Sequence, residues 1–199
     1  MDAAIEVFAD RGAQGASVRA IAAKAGVSPA LITHHFGTKE ALKDECDERV
    51  MAAYADIKMA GMADLPGAMG LVSSQDRTLE RLAAYFLRAI LDGGEPGRRF
   101  FAKYIERTQQ VLDEAVRRGQ MRPECADAAH VRYLAAAGIG TVLVTMLTAP
   151  VGARPYYDAA DHPQLLDAQL DVLTHGAFTD DTVLRAFRAA IVHTDPPTT

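Results

Sequence analysis

The sequence predicts an all-α protein of about nine helices, built as a small domain over residues 1–46 and a larger one over 47–194. Three observations predict it. Apolar residues recur at helical spacing along most of the chain. Capping residues, Gly and Pro cut that pattern into helix-length pieces. No strand-length alternation and no internal repeat competes with it. Residues are 49% hydrophobic and 24% charged, enough apolar material to bury a sizeable core. A short tail, 195–199, follows with Pro196 and Pro197 and is expected to be disordered.

Taken in order, Ala4, Ile5, Phe8 and Ala9 mark the first helix, with Asp2 as its N-cap and Gly12 past its end. Ser17 caps a short helix that runs to Ala25 and stops at Gly26. Ser28, with Pro29 in the first helical position, opens another. Thr38 caps a longer helix that turns Ala41, Leu42, Val50 and Tyr54 inward. Gly61 to Ser74 reads as a loop. Leu79, Leu82, Ala83, Phe86, Leu87, Ile90 and Leu91 then line one helix face. Gly93, Gly94 and Pro96 separate it from a helix that carries Phe100 to Ala115 and ends at Gly119 and Pro123.

His130 to Leu147 is an apolar helix rich in Ala and Gly. It falls in the longest uncharged run, Tyr133 to Ala153, but Pro150 cuts it short of a membrane span. The stretch Pro150 to Pro163 reads as a loop. Leu165 to Leu173 form a helix stopped by Gly176. Thr179 caps the last one, whose stripe is Val183, Leu184, Phe187 and Ile191. The N-terminus lacks a basic stretch followed by an apolar one, so no secretory segment is read there. Two thiols, Cys46 and Cys125, without metal-ligand spacing, form no disulfide framework and suit a reducing cytoplasm.

The informative segment is the pair of short helices that meet at Gly26-Val27. A helix-turn-helix needs a small residue at the crossing, a left-handed turn, and apolar residues locking the second helix. Ala22 supplies the first, Gly26 the second, and Ile21, Val27 and Ile32 the third. Ser28, Ala30, Thr33 and His34 are then left on the outside, as a surface entering a major groove requires. The net charge of −5 argues against a protein that coats nucleic acid, but the balance is local. Arg11, Arg19, Lys24, Lys39 and Lys43 face only Glu40 between positions 11 and 43.

The stretch Ser17-Val-Arg-Ala-Ile-Ala-Ala-Lys-Ala-Gly-Val-Ser-Pro-Ala-Leu-Ile-Thr-His-His-Phe-Gly-Thr-Lys-Glu-Ala-Leu42 resembles the DNA-binding domain of TetR-family transcriptional regulators. The preceding Ala-Ile-Glu-Val-Phe-Ala-Asp-Arg-Gly is similar to that family's first helix. Ile32 to Glu40 and Thr174 to Asp181 also resemble an actinobacterial subgroup linked to drug tolerance and efflux. The resemblance implies that Ser17, Val18 and Arg19 lie near phosphates and the groove edge. It places Ser28, Pro29, Ala30, Thr33 and His34 on the recognition helix and Lys39 at a phosphate contact beyond it. Thr33 stands where the family usually has Tyr, so a common contact is reduced or replaced. The basic arm that many members carry before the first helix is absent from this sequence; either the start is trimmed or this member binds without it.

The resemblance further implies a dimer on double-stranded DNA carrying a palindromic operator. Its partner contacts are assigned to residues 163–176 and 179–193. A small hydrophobic effector is expected between helices, with Phe86, Phe100, Phe101, Tyr104, Tyr133 and Met146 as lining and Thr108 and His130 as polar handles. No nucleophile elbow, phosphate loop or paired-carboxylate motif points to an enzyme, and no catalytic residue, metal or cofactor is expected.

Overall fold

A computed structural model describes residues 1–63, 78–148 and 163–192. Among these residues are nine α-helices, one 3-10 turn and no strand. The helices are α1 (Asp2–Gly15), α2 (Val18–Ala25), α3 (Pro29–Phe36), α4 (Lys39–Ala63) and α5 (Thr78–Asp92). They continue as α6 (Gly94–Arg117), α7 (Ala128–Thr148), α8 (Pro163–His175) and α9 (Thr182–Val192), with the 3-10 turn at Pro123–Ala126. Two compact units result, Met1–Ala160 and Asp161–Thr199.

Within the first unit one apolar core is continuous from α1 to α7. Ile5 and Phe8 of α1, Ile21 of α2, Ile32 of α3 and Leu42 and Val50 of α4 join Leu82 and Tyr85 of α5. Phe100 and Tyr104 of α6 and Ala135 of α7 complete it. Helix α4 has 25 residues, about 37 Å at 1.5 Å per residue. It leaves the helix-turn-helix and packs along α6 without a break, while α1 packs on α5.

Several boundaries differ from the periodicity. Met1, not Asp2, is the N-cap of α1, and Asp2 sits in the first turn 3.6 Å from Arg49. Gly12 does interrupt α1, with φ 73° and ψ 176°, yet a last helical turn resumes to Gly15. Helix α4 runs on through Gly61 to Ala63, so the expected loop loses its first residues; the remainder of that loop lies outside the described residues. Helix α6 takes up at Gly94, one residue after α5 ends, with Pro96 in its first turn where the missing N–H costs nothing. Thr179 does not cap α9. The helix begins at Thr182, where the Asp180 carboxylate accepts the first N–H at 2.8 Å. The expected loop 150–162 and tail 195–199 lie outside the described residues.

Candidate nucleic-acid interface

Three hydroxyl caps build the interface. Ser17 Oγ accepts the Ala20 N–H at 3.2 Å, Ser28 Oγ the Leu31 N–H at 3.2 Å, and Thr38 Oγ1 the Ala41 N–H at 3.0 Å. Each cap takes up the third amide of its helix and leaves the amides before it without a helical acceptor (on α3 only that of Ala30, because Pro29 has none), a favourable setting for phosphate. Gly26 turns left-handed at φ 70° and ψ 29°, and the Val27 N–H closes back on the Ala22 carbonyl at 3.0 Å. Ala22 is fully buried at the crossing, so the two backbones approach.

Ile21 and Ile32 lock α3 from beneath, but Val27 is not buried with them and stays 38% exposed. It lies on the rim of a 300 Å³ apolar hollow between α1 and α3, together with Leu31 and Met1. Ala41 also faces outward, and the inner face of α4 is Leu42, Cys46, Asp47, Val50 and Met51. Ser17, Arg19, Ser28, Pro29, Ala30, Thr33 and His34 are exposed, whereas Val18 and Lys39 are half-buried. The Thr33 hydroxyl donates to the Pro29 carbonyl at 3.2 Å, leaving its lone pairs as acceptors.

The basic balance of the segment is distributed differently from what the count implies. Lys24 pairs with Glu6 of α1 at 2.6 Å, and Arg81 of α5 approaches the same carboxylate at 3.3 Å. The Lys24 hydrogen bond, with both cations adding, holds the Glu6 carboxyl below its ordinary range. Lys39 Nζ donates to the Ala13 carbonyl at 2.9 Å and the Ala16 carbonyl at 3.2 Å. Lys43 is drawn inward to Asp47 at 2.6 Å. Three of five cations therefore tie the head together, and Arg11 and Arg19 stand exposed.

Lys43 and Asp47 sit at the seam where α1, α4, α5 and α6 meet. The Tyr85 hydroxyl donates to the same Asp47 oxygen at 2.6 Å. The Lys43 ammonium lies 4.7 Å from the Tyr85 ring centre and 5.6 Å from that of Phe100. Burial, with the Asp47 charge adding, pushes the Tyr85 hydroxyl far above its ordinary value. Neighbouring Cys46 is pushed from 9.0 up to about 12, chiefly by burial. Nothing in local periodicity marks Asp47 or Tyr85; their chemistry arises only when the four helices meet.

Deeper in the same unit, aromatic rings close on one another. Phe86 is 5.0 Å from Phe100 and 5.4 Å from Tyr104, edge to face, and Tyr54 is 5.0 Å from Tyr104. Phe101 meets Phe100 at 5.8 Å. The Tyr54 hydroxyl lies 3.4 Å from that of Tyr104, which donates to the Ala135 carbonyl at 3.3 Å.

Four expected lining residues are thus brought together, and Tyr54, expected on the inner face of α4, joins them. The others divide. Thr108 is buried but its hydroxyl donates to its own helix, at Tyr104 O, 2.8 Å away. His130 is exposed and binds Asp127 at the start of α7, at 2.8 Å. Tyr133 is 69% exposed. Neither therefore joins the ring cluster, and the Met146 side chain lies outside the described residues.

Comparison with known proteins settles what kind of chain this is. Residues 1–46 match the model of "Bacterial regulatory proteins, tetR family", and residues 77–179 that of "Tetracyclin repressor-like, C-terminal domain". The HTH-type transcriptional regulatory protein RaaS of Mycobacterium tuberculosis is 35% identical over 191 residues, covering 94% of this chain and 89% of that protein. This chain belongs to the TetR family.

As a TetR-family member it is a helix-turn-helix transcriptional regulator rather than an enzyme. The repressor AcnR of Corynebacterium glutamicum is 35% identical over 136 residues, 62% of this chain and 68% of that protein. Among solved structures, a transcriptional regulator of Pseudomonas aeruginosa is 26% identical with a TM-score of 0.54, covering 88% of each chain. FadR of Bacillus subtilis, solved with stearoyl-CoA, is 21% identical with a TM-score of 0.57, covering 89% of this chain and 97% of that one. The likeness to FadR is one of fold. No described helix of this regulator is long and apolar enough to cross a membrane.

Proposed function

We propose that this TetR-family regulator is a repressor that binds a palindromic operator as a homodimer and is released by a small hydrophobic effector. The observation that carries the reading is the outward face of α3. Ala30, Thr33 and His34 are small or polar and exposed, on a helix locked from below by buried Ile32. Ser17, Val18, Arg19, Ser28 and Pro29 border that face, and we assign them to phosphate or groove-edge contact; Lys39, with two of its N–H groups on the Ala13 and Ala16 carbonyls, has its third for a phosphate. The domain division at 46/47 belongs to the same reading, with α4 as the rigid link across it. The protein works in the cytoplasm, where its operator lies.

Dimerisation is assigned to residues 163–176 and 179–193, whose described apolar side chains are almost all exposed. Two heads on one duplex read half-sites about 34–36 Å apart. The effector is placed at the cluster of Phe86, Phe100, Phe101 and Tyr104, which must open to admit it. Tilting α4 then changes the head spacing. A tenfold loss of operator affinity needs about 1.4 kcal/mol of differential binding, within reach of modest apolar contact.

Selection from a random duplex library tests the core of this reading, with enrichment of one palindrome expected. Thr33→Ala or His34→Ala then shifts the preferred bases, whereas unchanged operator choice and affinity in both variants removes α3 as the reading helix. Cationic and neutral hydrophobic drugs titrated into the operator complex test release. Saturating binding in the larger domain without loss of DNA affinity excludes the effector mechanism.

A further inference from the structure

The elbow between α1 and α2 is held by two helices that run back into the rest of the unit. Asp92, the last residue of α5, lies 79 positions from Ala13, yet its Oδ2 accepts the Ala13 N–H at 2.6 Å. Its other oxygen is held by Arg88 Nε at 2.9 Å. The carbonyl of that same Ala13 accepts from Lys39 at the head of α4. Both backbone polar groups of one residue are therefore gripped, one by α5 and one by α4.

Gly12 makes the grip possible in two ways. Its φ of 73° with ψ of 176° breaks the α1 ladder just before Ala13. A Cβ there would lie 2.2 Å from Asp92 Oδ1 and 2.5 Å from Arg88 Nε, so any other residue has to displace the carboxylate from the Ala13 amide or strain the backbone. Behind Asp92 stand Gly93 and Gly94, with φ of 53° and 56°, which join α5 to α6. The paired helices carry the two sides of the ring cluster, Phe86 on α5 and Phe100 and Tyr104 on α6. Phe86 and Asp92 therefore stand on one helix, and Asp92 is the residue at which that helix meets the glycine joint.

We infer that Asp92 is a positioning residue for DNA binding: its bond to Ala13 sets where the N-terminus of α2 stands, and the released state of the regulator is one in which this bond is broken. The inference rests on the operator-binding reading above. A charge-assisted bond to a backbone donor is strong and directional, which suits a part that must place a helix end rather than merely fill space.

The test uses the full chain and the operator that it selects from a random duplex library. Asp92→Ala is expected to weaken operator binding about tenfold without changing the slope of log affinity against log salt, because no phosphate contact is lost. Exchange of the Ala13 amide rises, while the Cys46 and Val50 amides stay protected. Asp92→Asn, which keeps a neutral acceptor, recovers most of the affinity, and Arg98→Gln, an exposed change outside the grip, stays within about twofold of the parent. Should Asp92→Ala fail to fold, the Asn variant must still show partial loss in both affinity and Ala13 protection. Parental affinity in a folded Asp92→Ala, or faster Ala13 exchange without loss of affinity, overturns the inference. A parent chain that selects no duplex overturns the regulator's operator reading, and this one with it.

Discussion

The helix pair α2–α3 and the helix pair α8–α9 are similar in sequence character and opposite in outcome. Both consist of short amphipathic helices. In α2–α3 the key apolar side chains, Ile21 and Ile32, are buried among Phe8, Leu42 and Val50 of the same unit. In α8–α9 the described apolar side chains Leu165, Leu170, Val172, Leu173, Val183, Leu184 and Phe187 are exposed, and Phe178 between the helices is 70% exposed. Periodicity states that a face demands burial; it does not state which chain supplies the cover. The head is completed by its own chain. The C-terminal pair leaves its apolar face open, and the reading proposed above assigns the cover to a second copy.

Phe187→Asp breaks this contrast most severely. A carboxylate at the centre of the assigned partner face is expected to turn the dimer into monomer or aggregate in sedimentation and weaken operator binding by at least about a hundredfold. An unchanged dimer would show that α9 is not the seam.

Asp47→Ala tests the opposite side of the comparison, the self-completed core. It strands the Lys43 ammonium and the Tyr85 hydroxyl, so about 3–5 kcal/mol of stability should go. The thermal midpoint should fall by roughly 10 °C at this chain length, and a drop under about 2 °C would mean that water replaces the carboxylate. Gly12→Ala comes next, at about 1–3 kcal/mol in chemical denaturation, from its backbone conformation and the overlap with Asp92. Ser28→Ala removes a single cap and should cost about 1 kcal/mol, with dimerisation untouched.

The smallest effect is alkaline. Burial on folding pushes the Cys46 thiol from 9.0 up to about 12. A raised folded value means that its contribution is whole below pH 9 and is lost as pH climbs toward 12. Cys46→Ala should flatten part of the decline in denaturation midpoint between pH 8.5 and 10.5; an identical slope would show Tyr85 or the backbone to be responsible.

What could be read from the sequence was mostly what is local. The caps at Ser17, Ser28 and Thr38 and the left-handed Gly26 need only neighbours within a few residues, and all four take the expected form. The cations required more. Lys24, Lys39 and Lys43 read along the chain as a basic surface, but their partners, Glu6, the Ala13 carbonyl and Asp47, are set by tertiary packing or by a helix face that turns inward. The ring cluster was legible in part because aromatic residues on facing helices seek each other. Tyr133 and His130 share that composition yet lie on the outer side and at the start of α7, a difference of helix phase that spacing within one segment does not reveal.

The close approach of Tyr54 and Tyr104 gives the molecule an optical property of its own. The chain has six tyrosines and no tryptophan, so its intrinsic emission comes from phenol rings alone. Two of those six lie 5.0 Å apart, tilted by 58°, with their hydroxyls 3.4 Å apart, in the cluster proposed above to admit the effector. Any compound that parts them changes the coupling between two of the protein's own fluorophores. The regulator can therefore be screened for its natural signal without a dye, a label or DNA, by watching tyrosine light alone.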